Sequence, residues 1–249
     1  MQLIKRPFVF EILLCAFLIL LFRISYFFES LIYFIAGITG RNAFTDIMGL
    51  ITQVLVFVIA IATGLKIQKR TLVSVCFFKT ASAGVWGALV LCSVGFVLFH
   101  YYFTILFFSF LEGWNTNFGT SEGNLLINTI NIALVPAVAE ELLFKGLIFY
   151  SLKKRRSWIT AVIVSSLLFA ACHLQIIRFI PLFMFSCFSF WVYLRTGSII
   201  LPMFIHFVNN LFTLVLISEP FAELATFYSA LVLFTIGGYM LYKVSKNTQ

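Results

Sequence analysis

Apolar runs of about 20 residues, the length a helix needs to cross a bilayer, recur along this chain with short polar breaks between them. They fall at 8–28, 44–65, 84–110, 124–152, 158–175, 178–194, 198–218 and 224–242. The pattern predicts an all-α polytopic membrane protein with eight transmembrane helices, and residues 1–249 read as one integral membrane domain. Within it, the first three spans (8–110) are accessory, and residues of about 124–218 form a core. Lys5-Arg6 followed by an apolar run imitates a secretory signal peptide, but the run passes Phe22 with no small-x-small site after it, so it reads as an uncleaved first span. The longest polar stretch, GWNTNFGTSEGN at 113–124, is rich in turn residues and reads as an external loop.

Composition agrees with the pattern: 62% of residues are hydrophobic and 10% charged, against about 25% charged in soluble domains. The net charge of +8 does not point to nucleic acid, because of where the charges lie. With the N-terminus cytoplasmic, the inside loops and tails hold Lys5, Arg6, Lys66, Lys69, Arg70, Lys79, Lys153, Lys154, Arg155, Arg156, Arg195, Lys243 and Lys246, 13 of the 17 basic residues. Arg41 and Arg178 fall outside, as do Asp46, Glu112, Glu122, Glu219 and Glu223. The positive-inside rule therefore predicts a multi-pass protein of the cell membrane, in contact with lipid and with both termini cytoplasmic. Lys153-Lys-Arg-Arg156 reads as a topology anchor. The five cysteines lie in or beside apolar segments and show no disulfide spacing.

What a plain membrane helix does not explain is Glu140-Glu141, in the middle of the fourth span with Lys145 one turn on. A charged side chain at mid-bilayer costs roughly 2.5–3.5 kcal/mol on insertion scales, so these groups must face protein or water. Residues four apart share a helix face, which pairs Glu141 with Lys145 and leaves Glu140 turned away beside Ala133, Pro136 and Ala137. Small residues there admit a neighbouring helix, and Pro136 cannot donate to the Ile132 carbonyl, so a kink is expected just before the glutamates. The same spacing puts Phe169 with His173 and His206 with Asn210.

A carboxylate, two imidazoles and a carboxamide converging in a bilayer can polarise a water, with Glu140 as general base and His206 and Asn210 stabilising an oxyanion. They can equally ligate Zn²⁺ or another divalent metal through Glu140, His173 and His206. Spacing does not separate the two. Singly, each pattern has a plainer reading: the Glu–Lys pair as structure or ion pathway, His173 as a packed histidine, His206 with Asn210 as interhelical hydrogen bonding.

Taken in order, Glu140-Glu141-x-x-x-Lys145, Phe169-x-x-x-His173 and His206-x-x-x-Asn210 resemble the three motifs of the CPBP intramembrane protease family. That family groups type II CAAX prenyl endopeptidases with bacterial bacteriocin-processing and immunity proteins. The resemblance implies that Glu140 and His173 activate the attacking water, that His206 and Asn210 bind the oxyanion or complete a metal site, and that Glu141, Lys145 and Phe169 support them. The implied substrate is a small membrane-associated peptide or a lipidated protein. The family's first motif usually ends in arginine; Lys145 keeps the charge and loses the planar fork. Two rival readings are a non-catalytic immunity or scaffold protein binding a peptide in the same cavity, and a small ion-coupled transporter using the buried groups as a proton relay.

The spans also predict a polar cavity open toward the cytoplasm, and they carry one tension. At about 1.5 Å per residue from the basic helix ends, Glu140 lies about 18 Å deep, His206 about 12 Å and His173 about 22 Å. Tilt, the kink at Pro136 or a different placement of span five must remove that spread of roughly 10 Å.

Overall fold

The structure, a computed structural model, describes residues 8–35, 37–38, 42–79, 81–110, 125–176, 178–216 and 224–246. The loop expected at 113–124 lies outside these residues, as do Lys5, Arg6, Arg41, Glu112, Glu122, Glu219 and Glu223. Among the described residues there is no strand. The helices are α1 (Val9–Ile35), α2 (Ala43–Gln68), a one-turn α3 (Leu72–Val75), α4 (Ala83–Phe110), α5 (125–153), α6 (Trp158–Cys172), α7 (Phe179–Thr196), α8 (Ile200–Leu216) and α9 (Leu224–Lys246). Eight of these correspond to the eight apolar windows, α3 being the addition. Val9–Ile35, Ala43–Gln68, Ala83–Thr104, Phe179–Thr196 and Phe227–Ser245 are long and apolar enough to cross a membrane; Trp158–Cys172 and Ile200–Leu214 are apolar but shorter.

Local chemistry sets several helix ends. Asn42 opens α2 by accepting from the Thr45 N–H at 3.0 Å while Thr45 Oγ1 accepts from the Asn42 N–H at 2.9 Å, a reciprocal cap. Ser157 caps α6 through the Thr160 N–H at 3.2 Å. Gly197, left-handed at φ 63°, closes α7. The end of α6 is less ordinary, because Leu174 takes φ 54° without being glycine. That residue stops the helix at Cys172, short of the 175 expected from hydropathy.

Helix α5 is not uniform. The α-helical segment Val135–Glu141 sits between two wider π segments, Thr129–Leu134 and Leu142–Phe149. Pro136 supplies a reason for the first: it has no N–H to give, its ring crowds the carbonyl one turn back, and a wider turn before it relieves both. Val135 accordingly donates to the Ile130 carbonyl, five residues back. The kink expected before the glutamates takes this form.

Around α5 the other helices form two groups. Helix α2 follows α5 along its length on one side, and α1 packs on α2 and α6. On the other side α8 lies against α5, α7 and α4, and α4 pairs closely with α9. An ion pair fastens α1 to the end of α5. Buried Glu11 accepts from Arg155 Nη2 at 2.8 Å, and Arg155 also donates to Ser151 Oγ at 2.6 Å, so one member of the basic cluster is a structural clasp as well as a charge at a helix end.

Helices α4 and α9 approach until their backbones nearly touch. A Cβ at Gly95 would run into the Phe234 backbone and one at Gly237 into the Cys92 backbone, whereas one at Gly238 would meet only Cys92 Sγ at 3.9 Å. Small residues permit such crossings where lipid supplies no hydrophobic drive between helices. Gly95→Ala and Gly237→Ala should each cost about 1–3 kcal/mol through overpacking. Gly238→Ala should be near neutral, with thermal unfolding in detergent as the readout.

Candidate active site

The site begins with charge neutralisation on α5. Glu141 and Lys145 are both 2% exposed and form the ion pair that their spacing predicts. Lys145 Nζ also lies 4.3 Å from the centre of the Phe190 ring, which accepts part of the charge on its π face. The other Glu141 oxygen, Oε1, accepts from Ser189 Oγ at 3.3 Å and faces His206 Nδ1 at 3.1 Å. The second glutamate is thus held by three side chains from three helices.

These contacts settle the histidine tautomers. A carboxylate only accepts, so His206 Nδ1 carries a hydrogen toward Glu141 and its Nε2 turns the other way. His173 makes the same choice for a different reason: its Nδ1 lies 2.8 Å from the Phe169 carbonyl, an obligate acceptor. That carbonyl belongs to the last turn of α6, where the next residues no longer supply helical N–H groups, so the histidine side chain caps its own helix. Both Nε2 atoms turn toward Glu140. Oε2 of that residue stands 4.0 Å from His173 Nε2 and 3.8 Å from His206 Nε2. No hydrogen-bond partner meets this buried oxygen among the described residues. Both separations exceed a direct hydrogen bond.

An aromatic wall holds the imidazoles. The Phe169 ring centre is 4.9 Å from His173 and 5.8 Å from His206, and Phe185 is set edge-on to His206 at 4.9 Å. Phe144, on α5, braces Phe169 at 5.1 Å.

Glu140, Glu141, Lys145, Phe169, His173 and His206 therefore meet in one network. The unequal residue counts from the helix ends do not keep the groups apart, since Glu140 Oε2 lies 4.0 Å from His173 Nε2 and 3.8 Å from His206 Nε2. Asn210 is placed one turn beyond His206 on α8, half-buried, with Asn209 Nδ2 donating to its Oδ1 at 3.5 Å. Pattern reading misses Ser189, Phe190 and Phe185. A serine inside an apolar span with a phenylalanine four residues before it was the available signal for two of them.

Exposure is uneven across the site. Among the site side chains, His173 is 28% and Glu140 15% exposed, while Leu143–Phe149 are buried throughout. The connection between α2 and α4 packs on that basic half: Gln68 Nε2 donates to the Leu147 carbonyl at 3.2 Å, and a Cβ at Gly146 would stand 2.5 Å from Cys76 Sγ. The more exposed site residue, His173, lies at the α6–α7 turn.

One carboxylate and two imidazoles are donors that Zn²⁺ accepts. Among the described residues, however, no three His, Cys, Asp or Glu side chains close into a group able to hold an ion. No step below is routed through a metal.

Comparison with known proteins agrees with the motifs. Residues 122–212 match the family model described as Type II CAAX prenyl endopeptidase Rce1-like. The resemblance to the CAAX-type membrane proteases is borne out. Over 110 residues the chain is 28% identical to a Bacillus subtilis (strain 168) protein named "Putative membrane peptidase YdiL". That match covers 44% of this chain and 45% of the relative, so the chain spans about half the length of the curated relative it matches. No solved structure matches. The Rce1-like segment contains all three motifs and, with Phe185 and Ser189, the side chains that orient them.

Breaking one partner of a buried ion pair leaves an uncompensated charge, at a cost of about 3–5 kcal/mol. Lys145→Met should therefore lower thermal stability sharply, and adding Glu141→Gln should recover much of the loss. A double variant no more stable than Lys145→Met would contradict the pairing.

Proposed function

We propose that this protein is an intramembrane endopeptidase of the CAAX type, lying in the cell membrane with both termini cytoplasmic, that cleaves a membrane-associated peptide or lipidated protein near its apolar end. The observation that carries the reading is the convergence of two imidazole Nε2 atoms, each ring anchored through Nδ1, on one Glu140 oxygen, at 4.0 and 3.8 Å.

In this reading a water sits among the three atoms, donating one hydrogen to Glu140 and the other to the His173 Nε2 lone pair. Glu140 takes the first proton as the water oxygen attacks the scissile carbonyl carbon, and the carbonyl pair moves onto its oxygen. Asn210 Nδ2 and His206 stabilise that oxyanion. To donate from Nε2 while its Nδ1 hydrogen remains on Glu141, His206 must be an imidazolium, and the Glu141 carboxylate is its counter-charge. Collapse of the tetrahedral species breaks the C–N bond, and the amine leaves with the proton held by Glu140. The two histidines so differ in role: His173, backed by a neutral carbonyl, serves as acceptor, and His206, backed by a carboxylate, as donor.

Glu140→Gln keeps size and polarity but removes the base. Together with His173→Ala it should lower kcat for a prenylated or leader-bearing peptide in proteoliposomes by about 10²–10⁴, while insertion and thermal stability persist. Hydrolysis in ¹⁸O-water should put one label in the new carboxylate. Full activity in either variant would remove the catalytic assignment. Retained peptide binding and biological protection in Glu140→Gln would favour the non-catalytic immunity reading instead.

A further inference from the structure

All three histidines of the chain gather near this centre, although the third, His100, belongs to α4, a helix the hydropathy pattern marks as accessory. An ionisable side chain inside a membrane span calls for an explanation. His100 Nε2 lies 3.0 Å from the Pro181 carbonyl, so that nitrogen carries the hydrogen and donates. Its ring stacks on Phe96 at 5.7 Å with only 12° between the planes, and Phe96 in turn stacks on Phe188 of α7 at 4.1 Å. Phe185 stands one turn beyond Pro181 on the same face of α7, 6.2 Å from the His100 ring and edge-on to His206 at 4.9 Å. Helix α4 also packs directly on α8, where the Asn209 side chain neighbours His100 and donates to Asn210 Oδ1.

We propose that His100 is a positioning residue for the reaction: by holding the Pro181 carbonyl it fixes the first turn of α7 and so seats Phe185 against His206. The role rests on the protease reading only for its catalytic consequence; the seating itself is a structural relation. A carbonyl in the first turn of a helix already receives one N–H from within the helix and has a second lone pair to offer. The His100 contact uses that lone pair to pin α7 against α4. Released from it, α7 can rotate by a few degrees, and Phe185, reaching inward, moves the His206 ring edge off its line to Glu140. Misplacement on that scale at a reacting centre is costly to rate without weakening remote substrate contacts.

The test uses the full-length protein in nanodiscs with ¹⁵N-labelled histidine, the three rings being assigned by single substitution. His100→Phe keeps the aromatic stacking and loses the donor. His100→Gln can return an N–H close to the Nε2 position. The His206 ring resonances should shift in His100→Phe and return in His100→Gln, with thermal unfolding of both near wild type. On any peptide whose cleavage Glu140→Gln abolishes, kcat should fall about tenfold in His100→Phe, with KM within twofold, and recover in His100→Gln. Unmoved His206 signals in His100→Phe overturn the proposal, as does a loss that tracks unfolding and is not restored by glutamine. Cleavage that survives Glu140→Gln sinks the protease reading while leaving the resonance result to stand alone.

Discussion

A carboxylate cannot sit unpaired in a hydrocarbon layer, and α5 carries two of them side by side. Lys145 answers one. Because the pairing partner lies one turn along the same helix, Glu141 is neutralised with no other helix required, and its remaining oxygen is free to recruit Ser189 and His206. Glu140 has no such partner. What stands before it are two rings whose Nδ1 hydrogens are committed elsewhere, that of His173 to a carbonyl and that of His206 to Glu141. The setting of Glu140 and the two imidazoles thus follows from one buried ion pair, which spends the charge of Lys145 on the neighbouring residue.

The surrounding helices serve that arrangement in distinct ways. Wider turns on both sides of Val135–Glu141 set this short α segment off from the rest of α5, and such irregularities recur at functional sites. Leu174 in a left-handed conformation stops α6 early enough for His173 to reach back to its own helix end. Close contact of α4 with α9, made possible by Gly95 and Gly237, brings the accessory half of the chain against α7 and α8. The division into an accessory part and a core, drawn from the chain pattern, is less clear in packing.

Much of this was legible in the chain. The eight apolar windows mark eight helices, with α5 at 125–153 against an expected 124–152, because apolar length is what membrane spans are selected for. The first span runs on to Ile35, since Glu29 does not break a helix whose neighbours stay apolar. Glu140, Glu141, Lys145, His173 and His206 stood out for the same reason in reverse, as polarity where lipid forbids it. Illegible were the features that depend on backbone geometry or on neighbours far along the chain. No glycine announces the stop after Cys172, nothing in the pattern distinguishes a π turn from an α turn, and Phe185 is one phenylalanine among 32 until the fold shows which ring it meets. His100 was visible as a residue but not as a member of the site, since its link runs through the carbonyl of Pro181, 81 positions away.

The central claim is that Glu140 shares one small space with the Nε2 atoms of His173 and His206. Histidine ¹⁵N resonances of wild type and Glu140→Gln, compared in the same bilayer, test it directly. Both Nε2 signals should move on the substitution while both Nδ1 signals, tied to Phe169 and Glu141, hold their positions. Nε2 resonances of His173 and His206 that ignore the change would mean that no common centre exists.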